Sequence, residues 1–96
     1  MKLLFIIYSG PTPEHVTEIL ERHHSPGFTI LEDVTGMGST GRLEGNRAWP
    51  GTGTIILSVL GHEALTEVRD ALRTYRDQQS PGEHLHVATV PIEDYF

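Results

Sequence analysis

Two short runs of consecutive apolar residues govern what this chain can become. Leu3-Leu-Phe-Ile-Ile-Tyr8 and, apart from Thr54 and Ser58, Thr54-Ile-Ile-Leu-Ser-Val-Leu60 are apolar at neighbouring positions, not alternate ones. A strand that faces water on one side alternates, so these two read as strands covered on both faces, in the centre of a sheet. Each run is followed by a turn signal and then by helical spacing. After the first come Ser9-Gly10-Pro11, with Thr12 as N-cap and Pro13 at the first helical position. Val16, Ile19, Leu20 and His23 then share one helical face, and Ser25-Pro26-Gly27 ends the helix. After the second, residues 61–79 form a helix with Leu65, Val68, Leu72 and Tyr75 as its buried stripe.

The remaining segments complete the pattern. Phe28 to Thr35 is rich in β-branched residues and roughly alternating, hence a strand. Gln78 to Gly82 is a turn, and Glu83 to Val90 is a last alternating strand. The order βαββαβ predicts a ferredoxin-like α+β fold. Its four-stranded antiparallel sheet carries both helices on one face, and a long loop joins strands 2 and 3. The 96 residues fit a single domain, 1–96. Helices on one face leave the other side of the central strands uncovered, so that apolar side is expected to bury against another copy of the chain.

Composition removes several classes of function. Thirteen acids against seven Lys and Arg give a formal charge of -6, which argues against nucleic acid or an anionic membrane surface as main partner. No cysteine is present, so thiolate chemistry and Cys-based metal sites are excluded. The apolar start is too short to span a membrane and lacks a cleavage pattern, so a cytoplasmic location is expected.

Within this acidic chain, Gly36 to Gly53 stands apart, with six glycines, two arginines and one acid. Loops this long in a compact domain are usually functional. Glycines let backbone N–H groups converge on an anion, and Ser39 and Thr40 add hydroxyls. Arg42 and Arg47 offer bidentate donors to phosphate or carboxylate, and Trp49 offers a contact surface for a protein partner. The segment runs from strand to strand and lacks Gly-Lys-Ser/Thr, so it is neither a P-loop nor a dinucleotide fingerprint.

The chain resembles the PII signal-transduction superfamily along its whole length in element order. The resemblance is sharpest in Glu32-Asp33-Val34-Thr35-Gly36-Met37-Gly38, which is similar to the family's second-strand end. Val90-Pro91-Ile92-Glu93 resembles the end of its last strand. The segment to Gly53 sits where the family has its T-loop. The resemblance implies a homotrimer that binds an anionic effector between subunits, with ATP, ADP or AMP as the effector. Gly36, Met37 and Gly38 would border the ligand with Ser39 and Thr40. Arg42, Arg47 and Trp49 would meet a partner such as a membrane transporter or a metabolic enzyme. Here the family's Gly-Asp-Gly-Lys phosphate loop is replaced by Ser80-Pro81-Gly82-Glu83-His84-Leu85-His86. His86 falls near the family's Lys on an ungapped count back from Pro91.

His84 and His86 are two apart on a strand and therefore share a face. That spacing supports a different reading, a metal-binding trimeric ferredoxin-like protein using these two ligands. Among the other histidines, His24 lies near a helix C-terminus, and His62 opens the second helix where an anion could be held. His15 carries no assigned role. Arg69, Arg73 and Arg76 recur at helical spacing beside Glu67 and Asp70, and read as a solvated, salt-bridged face. Glu32 and Asp33 are adjacent on a strand and are expected to point to opposite faces. No hydrolase or metallohydrolase spacing appears, so no enzymatic activity is expected.

Overall fold

The computed structural model describes residues 1–38, 41–42 and 53–96. The element order is β1 (Lys2–Ser9), α1 (Glu14–Arg22), β2 (Thr29–Val34), β3 (Met37–Gly38), β4 (Gly41–Arg42), β5 (Gly53–Leu60), α2 (His62–Gln78) and β6 (His84–Pro91). The main sheet runs β2-β5-β1-β6, with every neighbouring pair antiparallel. The two apolar runs are β1 and β5, and they hold the centre. β3 and β4 pair with each other, as a small hairpin inside the long loop.

Alternation along β1 sorts its side chains between two different environments. Leu4, Ile6 and Tyr8 are buried, and they stand beside Ile56, Leu60 and Leu85 under the helices. Val16, Ile19 and Leu20 of α1 and Leu65, Val68 and Leu72 of α2 close the core from above. The predicted stripes thus supply the core, with Tyr75 packed at its margin. One polar residue enters it. Ser58, buried on β5, donates to the Gly27 carbonyl at 2.7 Å and pairs with the Ser25 hydroxyl at 2.8 Å. It thereby pins the chain between α1 and β2 and avoids an unpaired buried hydroxyl.

Among the described residues nothing covers the opposite sheet face. Leu3, Phe5 and Ile7 of β1 and Ile55, Leu57 and Val59 of β5 are only half-buried. By register Leu31 and Val90 extend this apolar face, and both are exposed.

Two local expectations need correcting. Thr12 does not cap α1: the N-cap is Pro13 and no side chain caps it. The Thr12 hydroxyl is drawn off instead to the Tyr8 hydroxyl, 3.2 Å away. The alternation expected through Glu32 and Asp33 is also broken. The register of β2 against β5 shifts between Leu31 and Val34, and Asp33 has φ 56°. Asp is among the few side chains that enter the left-handed region at low cost.

Candidate functional site

Strand directions gather the loop-borne features at one end of the sheet. β1 ends there at Ser9, β5 begins there at Gly53, and β6 begins there at His84. The end of β2 pairs with Gly53 through Val34, so Thr35 and Gly36 leave from the same end. His62 lies at the far end, at the start of α2, and takes no part in this cluster.

The predicted ligand residues sit at this end but on opposite edges. Gly36 to Gly38 continue from edge strand β2, whereas His86 lies on edge strand β6 and faces outward beside Ile7. Two strands separate the edges, a span of about 14 Å at the usual strand spacing. A single chain therefore does not bring Gly36 and His86 together. Ser39, Thr40, Arg47 and Trp49 lie outside the described residues. Met37 and Arg42 are paired through their backbones in the β3–β4 hairpin. His84 and His86 are both exposed on one face of β6. Among the described residues no group of three or more His, Cys, Asp or Glu is placed to hold a metal ion.

The turn between α2 and β6 holds a feature that the sequence pattern did not reveal. Glu83 folds inward and is buried. Its Oε2 accepts from the Tyr75 hydroxyl at 2.6 Å and from the Tyr8 hydroxyl at 2.8 Å. Its Oε1 accepts from the Ser80 N–H at 3.1 Å, and its own N–H donates to the Ser80 carbonyl at 3.1 Å. Tyr8 also accepts from the Thr12 N–H at 3.2 Å. His15 stacks edge-on against Tyr75, with ring centroids 5.9 Å apart, and its Nδ1 lies 3.4 Å from the Tyr75 hydroxyl. The network ties the end of β1, the start of α1, the end of α2 and the start of β6 together. Tyr8 ends an apolar run and Tyr75 belongs to an apolar stripe, and the polar tip of each needs a partner when buried.

Electrostatics follow from that geometry. Burial pushes the Glu83 carboxyl pKa up. The hydrogen bonds from Tyr75, Tyr8 and Ser80, with His15 nearby, outweigh it and hold the carboxyl below its ordinary range. Burial, reinforced by the carboxylate, raises both Tyr8 and Tyr75. The turn's inward-facing donor is thus spent on the chain's own carboxylate. At the place of the phosphate loop that the resemblance implies, the structure fixes a negative charge.

A second feature lies alongside. A groove of about 500 Å³ opens between α2 and β6. Arg69, Arg73 and Arg76 line it from α2 and Leu85 from β6 on the helix side, and the groove reaches round the β6 edge to Phe5, Ile7 and His86 of the uncovered side. The expectation of a salt-bridged helix face is only partly met. Glu67 turns toward His23 of α1, 3.9 Å away, and Arg76 meets its neighbour Asp77 at 3.6 Å. Among the described residues neither Glu67 nor Asp70 pairs with any of the three arginines. A second cavity, of about 550 Å³, lies at the far end between Leu3, Phe28, Leu57, Val59 and Tyr95, and among the described residues no charged side chain lines it.

Comparison with solved structures supplies independent evidence. The chain matches CPII of Thiomonas intermedia K12, a nitrogen regulatory PII-like protein, bound to ADP, AMP and bicarbonate. Identity is 25% and TM-score 0.69, over 93% of this chain and 86% of that one. The form of CPII bound to ADP and bicarbonate matches at 26% identity and TM-score 0.68, with the same coverage. A proposed PII-like signalling protein from Thermus thermophilus matches at 19% identity and TM-score 0.62, over 93% and 84%. No protein-family model and no curated protein sequence matches the chain. Among the described residues no helix is long and apolar enough to cross a membrane.

Proposed function

We propose that this chain, related to the PII-like superfamily in fold and element order, is a regulatory protein that acts as a homotrimer. It binds an adenine nucleotide between subunits. It signals through residues 36–53, with Arg42, Arg47 and Trp49 meeting a protein partner, and does so without catalysing a reaction of its own. The observation that carries the reading is the placement of Gly36 and His86 at one end but on opposite sheet edges. A ligand that uses both must lie between the β2 edge of one copy and the β6 edge of the next. The uncovered face of Leu3, Phe5, Ile7, Ile55, Leu57 and Val59 gives the copies a reason to associate. CPII, bound to ADP and AMP, provides the ligand class.

Nucleotide binding in such a site biases the loop between states and so changes its affinity for a partner. The partner is a membrane transporter or a metabolic enzyme held in check by that loop. Calorimetry with ATP, ADP and AMP, each with and without bicarbonate, tests the ligand. Light scattering tests the assembly. The expected result is saturable heat with at least one nucleotide at one site per chain, on a particle of three chains. Heats equal to dilution for all three nucleotides remove the effector. A monomer at micromolar concentration removes the inter-subunit site.

A further inference from the structure

The charge that holds the effector must come from somewhere, and the turn before β6 cannot supply it. Its Ser80 N–H is committed to Glu83, and Glu83 places a carboxylate at that point. A phosphate brought there would meet a like charge. The positive charge lies one step along α2. Arg69, Arg73 and Arg76 follow the spacing i, i+4, i+7, so they stack on one stripe about 5–6 Å apart. All three line the same groove with Thr89 on the helix side of β6, His86 borders it from the other side of that strand, and among the described residues no acid lines it. This gathers three of the chain's seven Lys and Arg in a molecule of net charge -6. Arg69 is half-buried, which restricts its guanidinium more than those of its exposed neighbours. The groove runs from the loop-bearing end, at Arg76 and His86, toward the far end, at Arg69 and Thr89.

We infer that the groove between α2 and β6 is the anion-holding part of the effector site, and that Arg69, Arg73 and Arg76 grip the phosphates of a nucleotide there. The nucleotide identity rests on the function proposed above; the anion site itself does not. Guanidinium groups suit this task because each presents two parallel N–H donors to phosphate oxygens. The groove's volume accommodates a diphosphate together with part of the group that bears it.

The test uses the full chain with three probes at constant ionic strength: ADP, adenosine and inorganic pyrophosphate. The variants are Arg69→Gln, Arg73→Gln, Arg76→Gln and the triple. Each single change is expected to weaken ADP and pyrophosphate by about 10-fold, in keeping with the loss of one charge-assisted contact, and the triple by more than about 100-fold on the same basis. Adenosine binding and the oligomeric state should not change. If pyrophosphate binds and the triple change abolishes it while ADP gives no heat, the anion site stands and the nucleotide reading falls. Pyrophosphate and ADP binding that survives the triple change overturns the inference and leaves the nucleotide reading intact. A triple variant that folds but no longer assembles overturns it too, since the arginines would then serve a second copy of the chain. A wild type that binds none of the probes ends both.

Discussion

Glu83→Gln is the most informative single change, because it removes a charge and almost no volume. In the native chain the carboxylate accepts three hydrogen bonds, at 2.6, 2.8 and 3.1 Å. Hydrogen bonds to an ionised acceptor contribute about 1.5–3 kcal/mol each, and neutral ones about 1. A glutamine keeps one oxygen, so it can satisfy one side of the cluster. With that oxygen toward Tyr8 and Tyr75, its amide N–H groups face the Ser80 N–H, which loses its acceptor; flipped, they face the two hydroxyls, which must accept instead and turn their own protons to Thr12 and His15. Relief from burying a charge offsets part of that loss. The three bonds share one group, so their contributions do not add. The expected net cost is about 2 kcal/mol at neutral pH.

The pH dependence has a definite sign. Glu83 in the folded chain lies below its ordinary value of 4.5. The unfolded chain therefore binds the proton more readily across that interval, and stability rises with pH through it. The contribution is complete above about pH 5 and is lost as pH falls through the folded-state value. Urea unfolding of wild type and variant at matched protomer concentration, from neutral pH down in steps to about pH 3, reads this directly. The gap between them should be largest at neutral pH and should narrow in acid. A cost below about 0.5 kcal/mol at neutral pH, or a gap that does not change with pH, would refute the reasoning. A cycle with Tyr75→Phe adds a check, since removing both partners should cost less than the sum.

Three further changes probe other parts of the fold. Gly10→Ala would set a Cβ 2.5 Å from the Tyr8 hydroxyl oxygen and 3.2 Å from Glu83 Cγ, at φ +155°. Tyr8 is buried and cannot retreat, so a loss of about 1–3 kcal/mol is expected, and an unchanged melting temperature would contradict the packing. Ser58→Ala leaves the Gly27 carbonyl without its 2.7 Å donor. It should cost about 1–2 kcal/mol in urea, and a stabilised variant would argue against the role given to Ser58. Leu57→Lys puts a charge on the uncovered sheet face, and light scattering should report monomers with native circular dichroism. A particle of unchanged mass would mean that this face is not the contact between copies.

The parts of the molecule that the sequence exposed were those governed by hydrophobic period. β1 and β5 announced themselves because apolar residues at neighbouring positions mark a strand apolar on both faces, and both came out central, with the helices covering one of those faces. The stripes of α1 and α2 were legible for the same reason, down to Val16, Leu20, Val68 and Leu72. Pairing through space left no such trace. Thr12 carried a capping residue's chemistry, yet Tyr8 claimed its hydroxyl from four residues away. Asp33 looked like an ordinary strand residue, and only the register against β5 showed the break. Glu83 stood in the sequence only as the start of the last strand, because its partners lie 8 and 75 residues distant.

That blindness to distance bears on function as well as on packing. In sequence, the replacement of the phosphate loop by Ser80 to His86 weakens the case for a phosphate at that turn. The folded chain offers a different account. With Glu83 fixing the turn, the α2–β6 junction holds its shape without an anion to organise it. The three arginines on α2 face a groove with no acid among the described residues of its lining, and that groove opens along the edge of β6. On this arrangement the two tasks that a phosphate loop would combine, shaping the junction and holding the anion, fall to different residues. Glu83→Gln should therefore loosen the junction, while Arg73→Gln should weaken anion binding without changing the urea midpoint. If one change produced both effects, the division would be wrong.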